Sequence, residues 1–163
     1  MNRNYLIVTL AILFLFSCKS SSYMQHAYTD MKKSVNEAQV SLLKDTVKVV
    51  FPNSVLFDFG SATVKQEIHQ AFERFSLVLN KYNQTEVLIC GYTDTIGTAE
   101  RNFSLSKRRA DSAMALLVYN KIDPQRLYTW GMGSKNAVAS NNTEEGRQQN
   151  RRVEFVVLRK PKK

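Results

Sequence analysis

A short apolar run followed closely by a long helical segment places the strongest limit on how this chain can fold. Residues 86–90, Glu-Val-Leu-Ile-Cys, have the length and composition of a buried strand, which ends at Gly91. Residues 98–120 contain neither Gly nor Pro and are rich in Ala, Leu, Arg and Lys, which predicts a helix. In α/β layers, ligand sites often lie just beyond the carboxyl end of a strand. Asp94 occupies that position.

The rest of the chain also alternates strand-like and helical segments. The strand-like segments are residues 47–51 and 54–57, around a Pro52-Asn53 break, and residues 126–130 and 153–158. Apolar residues at helical spacing predict a helix over residues 63–82. Residues 133–149 are polar and predict a surface loop with a short helical turn near its end. The whole pattern predicts an α/β fold, an α+β sandwich with two main helices packed on one face of a mixed sheet.

The long predicted helix has two faces of different character. One is an apolar stripe of Phe103, Ala110, Met114, Leu117 and Val118. The other carries Asn102, Ser106 and Arg109, so one ligand can meet more than one of them. Asp94 and Arg109 together supply a carboxylate and a guanidinium, a combination that can hold a zwitterion. The alternative is a structural ion pair or two solvated charges.

Five motifs occur in a fixed order along the chain. They are Val55-Leu56-Phe57-Asp58-Phe59, Gly91-Tyr92-Thr93-Asp94, Asn102 with Leu105-Ser106 and Arg109-Ala110, Gly131-Met132-Gly133, and Asn150-Arg151-Arg152-Val153-Glu154. In this order they resemble the OmpA-like peptidoglycan-associated domain, which is found in outer-membrane protein A, in the Pal lipoprotein and in flagellar stator proteins. The resemblance covers residues 49–158 and implies the family's βαβαβ fold.

The resemblance implies a ligand, the diaminopimelate residue of the peptidoglycan stem peptide, held by Asp94 and Arg109. The far end of that residue carries an ammonium, which Asp94 can accept, and a carboxylate, onto which Arg109 can fork. It also implies lesser roles for Thr93, Asn102, the backbone around Asp58 and Phe59, and Arg151. For Asn102 a helix-capping role remains an equal alternative. Tyr92 is a departure, because many members of the family have His at this position.

The amino terminus has the three parts of a secretory signal. Arg3 precedes an apolar run over residues 5–16, and Ser17-Cys18 follows it. Residues 1–17 resemble a bacterial lipoprotein signal peptide, in which the Cys becomes the lipidated first residue of the mature chain; a retained signal anchor is the alternative. Residues 18–46 would then hold the lipidated Cys18, a flexible Ser-rich tether and a short amphipathic helix over residues 29–44. Residues 47–163 would be the peptidoglycan-binding domain.

Composition argues against several classes of site. Cys90 lies in an apolar strand and is expected to be a buried free thiol, so no disulfide framework is predicted. The chain has only two histidines and no recognisable metal-ligand or acid–base spacing, so we predict no metal, no cofactor and no catalytic residue. The formal charge of +9 suits an anionic wall or lipid surface. Nucleic acid is the rival partner, but no nucleic-acid motif accompanies the charge.

The sequence therefore predicts a non-enzymatic lipoprotein of the outer membrane, lipid-anchored with its domain facing the periplasm. It would bind peptidoglycan noncovalently and tie the membrane to the wall. One alternative is a wall-anchoring subunit of a larger envelope, secretion or motility complex, with a protein partner that the sequence does not identify. Another is a wall hydrolase, which would need an acid–base pair or a metal.

Overall fold

The structure, a computed structural model, describes residues 18–161, with side chains described from residue 22 onwards. In chain order the elements are α1 (Cys18–Ser34), β1 (Gln39–Leu43), β2 (Thr46–Pro52), α2 (Asn53–Leu56), α3 (His69–Lys81), β3 (Thr85–Tyr92), α4 (Ala99–Tyr119), β4 (Leu127–Gly131), α5 (Glu144–Asn150) and β5 (Arg152–Arg159). Short 3-10 turns, Gln66–Ile68 and Pro124–Arg126, precede α3 and β4. The predicted signal peptide, residues 1–17, lies outside the described residues.

The five strands form one sheet in the order β1-β2-β5-β3-β4. Neighbouring strands are antiparallel except β3 and β4, which pair in parallel with Gly91 opposite Gly131. The predicted mixed sheet is therefore confirmed. The β1–β2 hairpin adds an edge strand that the sequence pattern does not predict.

One face of the sheet carries the hydrophobic core. Alternate residues of β2, β3 and β5 point into it and pack with α1, α3 and α4, so both predicted main helices lie on this face. At the centre are Phe51, Phe72, Phe75 and Phe155, whose ring centroids lie 5.4–6.5 Å apart. Each fully buried Phe contributes about 1.5–3 kcal/mol relative to an exposed one. On the opposite face Trp130 stays 60% exposed.

The amino-terminal helix does not lie where the apolar spacing predicts. It spans Cys18–Ser34 rather than residues 29–44, and the predicted tether, residues 19–22, belongs to it. Met24, Ala27, Met31 and Val35 are its buried stripe and join the main core. Residues 39–43 instead form β1, because pairing with β1 satisfies backbone groups on the edge of β2 that a longer helix would leave unpaired. Lys44, in the hairpin turn, has a φ of 54°.

Residues 54–57, predicted as a strand, form most of the helical turn α2 instead. Pro52 precedes it with extended backbone, and the Phe57 N–H donates to the Asn53 carbonyl. Pro52 has no N–H to donate to a sheet, so β2 ends there, and this local property overrides the apolar pattern. The helix predicted over residues 63–82 begins later, since Lys65 is still extended and Val64 forms a bridge with Phe57. The surface loop and its helical turn, α5, are confirmed.

Candidate functional site

A pocket of about 390 Å³ opens at the carboxyl end of β3, between the β3–α4 loop and α4. The sequence-predicted residues Phe59, Thr93, Asp94, Asn102, Arg109 and Arg151 all line it. So do residues that the sequence pattern does not assign to a site, among them Asn53, Ile96, Arg101 and Glu144, as does Leu105 of the third motif. The fold thus brings together residues that lie up to about 100 positions apart in the chain.

Two glycines set the position of α4 over the sheet. A Cβ atom at Gly91 would lie 2.1 Å from the Ser106 carbonyl oxygen, and one at Gly131 would lie 2.8 Å from the Phe103 oxygen. The helix backbone therefore rests directly on β3 and β4. The Ser106 hydroxyl accepts a hydrogen bond from the Gly133 N–H at 2.9 Å, which joins the helix to the Gly-Met-Gly turn.

This close approach buries a polar face of α4 rather than the predicted apolar stripe alone. Asn102, Ser106 and Arg109 are 6%, 0% and 3% exposed. Phe103, which the spacing places in the stripe, is 54% exposed. The apolar prediction holds further along the helix, where Ala110 and Leu117 are buried in the core. Because the first turns of α4 lie against the glycine backbone and the pocket, polar side chains can be buried there with partners.

The loop that carries Asp94 is fixed by hydrogen bonds. The Asn102 amide donates to the carbonyls of Asp94 and Ile96, at 3.2 and 3.1 Å. The Thr93 hydroxyl donates to the Asp94 carbonyl at 2.9 Å. One carboxylate oxygen of Asp94 accepts from the Ile96 N–H at 3.0 Å. The helix cap is Thr98 and not Asn102, since the Thr98 side chain accepts from the Arg101 N–H. Asn102 is therefore placed to hold the loop.

Asp94 forms its salt bridge with Arg151 rather than with Arg109. The Arg151 Nη1 atom donates to Asp94 Oδ2 at 2.6 Å, and its Nη2 atom donates to Glu144 Oε1 at 2.5 Å. Hydrogen bonds from Arg151 and Arg147 lower the pKa of Glu144. Sequence reasoning missed Glu144, because one carboxylate in a polar loop carries no local signal.

Arg109 is a buried guanidinium without a carboxylate partner. Its Nε donates to the Ser61 carbonyl at 2.9 Å, and the guanidinium carbon lies 5.3 Å from the centroid of the Phe57 ring. Among the salt bridges of the described residues, none involves Arg109. Burial and the nearby Arg151 charge lower the pKa of Arg109 to about 10, although Asp94 opposes them. A bound anion would compensate this charge.

The two residues of the Asp58-Phe59 motif have different surroundings. Phe59 is fully exposed at the rim of the pocket. Asp58 lies outside the pocket, 3.3 Å from Lys65 and largely exposed, and lines an adjacent cavity of about 220 Å³ together with Phe59. Asn53 lines both cavities, and its Oδ1 atom is buried without a hydrogen-bond partner. Its position after Pro52 was the only sequence signal for it.

Cys90 and Tyr92 lie near the carboxyl end of β3 but are not among the residues that line the pocket. Cys90 is a buried free thiol, as predicted, and burial raises its pKa. Tyr92 is buried, and the guanidinium carbon of Arg152 lies 3.8 Å from the centroid of its ring. Within residues 18–161 no group of three potential metal ligands occurs, and no helix there is long and apolar enough to cross a membrane.

Comparison with known proteins agrees with this fold. The model of the OmpA family matches residues 56–151, more than half of the chain. A relative, the probable lipoprotein YiaD of Escherichia coli strain K12, is 36% identical over 137 residues, which cover 83% of this chain and 63% of the relative, so the chain spans less than two thirds of it.

Solved structures are similar too. The cell wall anchor of the T6SS from Pseudomonas aeruginosa superposes with a TM-score of 0.71 at 30% identity, covering 84% of this chain and 97% of that one. The peptidoglycan-associated lipoprotein from Burkholderia pseudomallei superposes with a TM-score of 0.59 at 29% identity, covering 63% and 87%. The match to the family model, together with these likenesses, shows that the chain belongs to the OmpA family.

Proposed function

We propose that this protein binds peptidoglycan noncovalently through the diaminopimelate residue of the stem peptide. The observation that carries the proposal is Arg109, a guanidinium that is 3% exposed and has no carboxylate partner among the described residues, in a pocket that also holds Asp94. A ligand carboxylate would receive two parallel hydrogen bonds from Arg109. The ligand ammonium would donate to Asp94, whose two oxygens retain acceptor capacity beside Ile96 and Arg151.

The other predicted residues have supporting roles in this proposal. Thr93 and Asn102 hold the Asp94 loop through its carbonyls, so they position the carboxylate. Arg151 neutralises Asp94 in the ligand-free protein, and its side chain is 22% exposed, which leaves it room to move when the ammonium binds. Phe59 and the backbone beside Asp58 form a rim that covers the ligand. Catalysis has no part, because binding alone accounts for these groups.

We further propose that lipid at Cys18 anchors the protein in the outer membrane with the domain facing the periplasm. Cys18 belongs to α1, and the Tyr23 hydroxyl of the same helix accepts from the Gln84 N–H at the amino end of β3. The pocket lies at the carboxyl end of β3, so an eight-residue strand of about 26 Å separates the two. Lipid and wall would then attach at opposite ends of the domain. YiaD, a relative, is named a probable lipoprotein.

A second candidate is a wall-anchoring subunit of a larger secretion or motility complex. The observation that favours it is the likeness to the cell wall anchor of a T6SS, at 30% identity over 84% of this chain. Both candidates use the same pocket. Purification from detergent-solubilised envelopes separates them, because a complex subunit carries a stoichiometric protein partner and a simple anchor does not.

The direct test is sedimentation with purified diaminopimelate-type peptidoglycan. Residues 18–163 with Cys18→Ser keep all of α1 and avoid lipidation. Asp94→Ala and Arg109→Ala are the test variants, and Arg108→Ala is the matched control, since Arg108 is an exposed neighbour on the same helix. Hydrogen bonds to charged groups contribute about 1.5–3 kcal/mol each, so each test variant should weaken binding at least about tenfold.

Sedimentation of wild type and the three variants decides the proposal. Wild type and Arg108→Ala should sediment with the wall, and the two folded test variants should stay in solution. Lysine-type peptidoglycan lacks the side-chain carboxylate of diaminopimelate. It should bind weakly, because no ligand group then compensates the positive charge of Arg109. Retention of wild type in the supernatant, or equal sedimentation of the variants, would overturn the proposal. Release of soluble muropeptides would instead show a hydrolase.

A further inference from the structure

The pocket is the first of three cavities that adjoin one another around α5. The second cavity, of about 220 Å³, shares Asn53, Phe59 and Arg151 with the pocket. A third cavity, of about 830 Å³, shares Ser54 and Gln148 with the second. We name this third cavity the side groove; its lining is Gln39, Val40, Ser41, Lys48, Val50, Pro52, Ser54, Val138, Glu145, Gln148, Gln149, Arg152 and Glu154. The shared residues place the three cavities side by side, from the Asp94 pocket to the open face of the sheet.

The charges in the side groove are balanced. Arg152 and Glu154 are 5% and 6% exposed and form a salt bridge at 2.8 Å. Lys48 lies 3.5 Å from Glu154, and the only other charged lining residue is Glu145. Two positive and two negative side chains therefore face the groove, so its formal net charge is zero. A charged ligand is disfavoured there and a neutral polar one is favoured.

The exposed side chains of the side groove suit a carbohydrate. Amides and a hydroxyl line it, from Gln39 and Ser41 on β1 and from Gln148 and Gln149 on α5. Amide groups both donate and accept hydrogen bonds, as sugar hydroxyls and N-acetyl groups do. Between these polar groups lie apolar surfaces from Val50, Pro52 and Val138. A volume of about 830 Å³ is within the usual range for sites that bind small molecules.

We infer that the side groove binds the N-acetylated disaccharide of the same peptidoglycan repeat whose diaminopimelate occupies the pocket. This inference rests on the function proposed above. In the repeat, diaminopimelate is joined to the amino sugar through two amino acids and a lactyl group. Two extended residues span about 7 Å and the lactyl group adds to this length, so the linker would extend from the pocket toward the second cavity. The sugar would then reach the side groove, and the domain would recognise a glycan strand as well as a peptide.

The test compares a stem tripeptide with the same tripeptide carrying its disaccharide, by isothermal titration to residues 18–163 with Cys18→Ser. The net gain of about one neutral hydrogen bond would give the disaccharide form about five- to tenfold tighter binding. Gln149→Ala removes a groove amide and Ser41→Tyr fills the groove from an exposed strand position. Gln70→Ala is the matched control, because Gln70 is an exposed glutamine on a helix outside the groove.

The expected result is that both groove variants bind the two ligands equally, with tripeptide affinity unchanged, while Gln70→Ala keeps the preference. Equal binding of both ligands by wild type would overturn the side-groove inference and leave the proposed function standing. A preference that survives both groove variants would place the sugar elsewhere and would also overturn it. If neither ligand binds, the proposed function itself fails, and the inference fails with it.

Discussion

Replacing Arg109 with methionine should show that this residue lowers the stability of the folded protein but is needed for binding. Burial, with help from Arg151, lowers the pKa of Arg109 from 12.5 to about 10. At about 1.4 kcal/mol for each tenfold change in the proton equilibrium, the folded protein disfavours the charged form by an energy on the order of 3 kcal/mol. Arg109 is charged at pH 7 in both states, so this cost is fully present at pH 7 and declines only above about pH 10.

The variant also loses the hydrogen bond to the Ser61 carbonyl, which contributes about 1 kcal/mol. Methionine fills similar space and can pack on the Phe57 ring. We therefore expect Arg109→Met to raise the free energy of unfolding by about 1–2 kcal/mol while abolishing sedimentation with peptidoglycan. A gain of stability together with a loss of binding is typical of a site with a buried charge that is compensated only when the ligand binds.

Arg126→Met is the matched control. Arg126 is 4% exposed, and burial lowers its pKa too, but its guanidinium donates to the carbonyls of Leu79, Tyr82 and Thr85 and to the Thr85 hydroxyl. The same substitution there leaves several buried acceptors without donors, at about 1–3 kcal/mol for each one that water cannot reach. It should lower stability by about 3–5 kcal/mol.

Urea unfolding at pH 7, followed by far-ultraviolet circular dichroism, measures both variants. The two free energies should move in opposite directions with unchanged slopes in urea. A loss of more than about 1 kcal/mol in Arg109→Met would refute the reasoning, because Arg109 would then be a structural arginine like Arg126.

Three further predictions concern the scaffold. Gly91→Ala should lower stability by about 1–3 kcal/mol or more in thermal unfolding and weaken wall binding, because its Cβ would lie 2.1 Å from the Ser106 oxygen and α4 would have to move; unchanged values would show that α4 adapts freely. Asp30→Asn should cost about 0.5 kcal/mol at pH 7 in urea unfolding. A hydrogen bond with Lys81 lowers the pKa of Asp30, so its contribution is present above the ordinary Asp pKa and is lost as pH falls through the folded-state pKa; an equal cost at pH 2 would contradict this. Cys90 should react with a thiol reagent at pH 8 only after unfolding, since burial raises its pKa, and rapid labelling of the folded protein would exclude this.

The fold was predictable from the sequence where local composition alone determines the secondary structure. The strand ending at Gly91 and the helix capped by Thr98 follow from local composition, and both are confirmed within a residue or two. The errors occurred where local and tertiary preferences compete. Apolar spacing predicts a helix over residues 29–44, but pairing between β1 and β2 takes its second half into the sheet. Pro52 ends β2 at a point where the apolar run alone predicts further strand.

The site was predictable as a set of residues but not as a set of contacts. The motifs identify Asp94, Arg109 and Arg151, and the fold places all three in one pocket. Which arginine bonds to Asp94 depends on where β5 and α5 place Arg151. The spacing of residues along the chain does not predict the distance between Arg151 and Asp94. Glu144 and Asn53 were missed for the same reason.

The pairing of Asp94 with Arg151 explains how one pocket can keep both a carboxylate and a buried guanidinium. Arg151 enters from the rim, where its side chain is 22% exposed and is also held by Glu144, which is 48% exposed. The Asp94 side chain is only 11% exposed and needs a partner, but an incoming ammonium can replace Arg151 there while Glu144 still pairs with Arg151. The exchange leaves neither charge unpaired. Arg109, by contrast, donates a hydrogen bond to the Ser61 carbonyl and has no carboxylate partner among the described residues. The ammonium of an incoming zwitterion therefore replaces Arg151 as the partner of Asp94. The carboxylate of the same ligand gives Arg109 an ionic partner where it had none. Most of the net binding energy should come from the ligand carboxylate, and the ammonium at Asp94 mainly fixes its orientation.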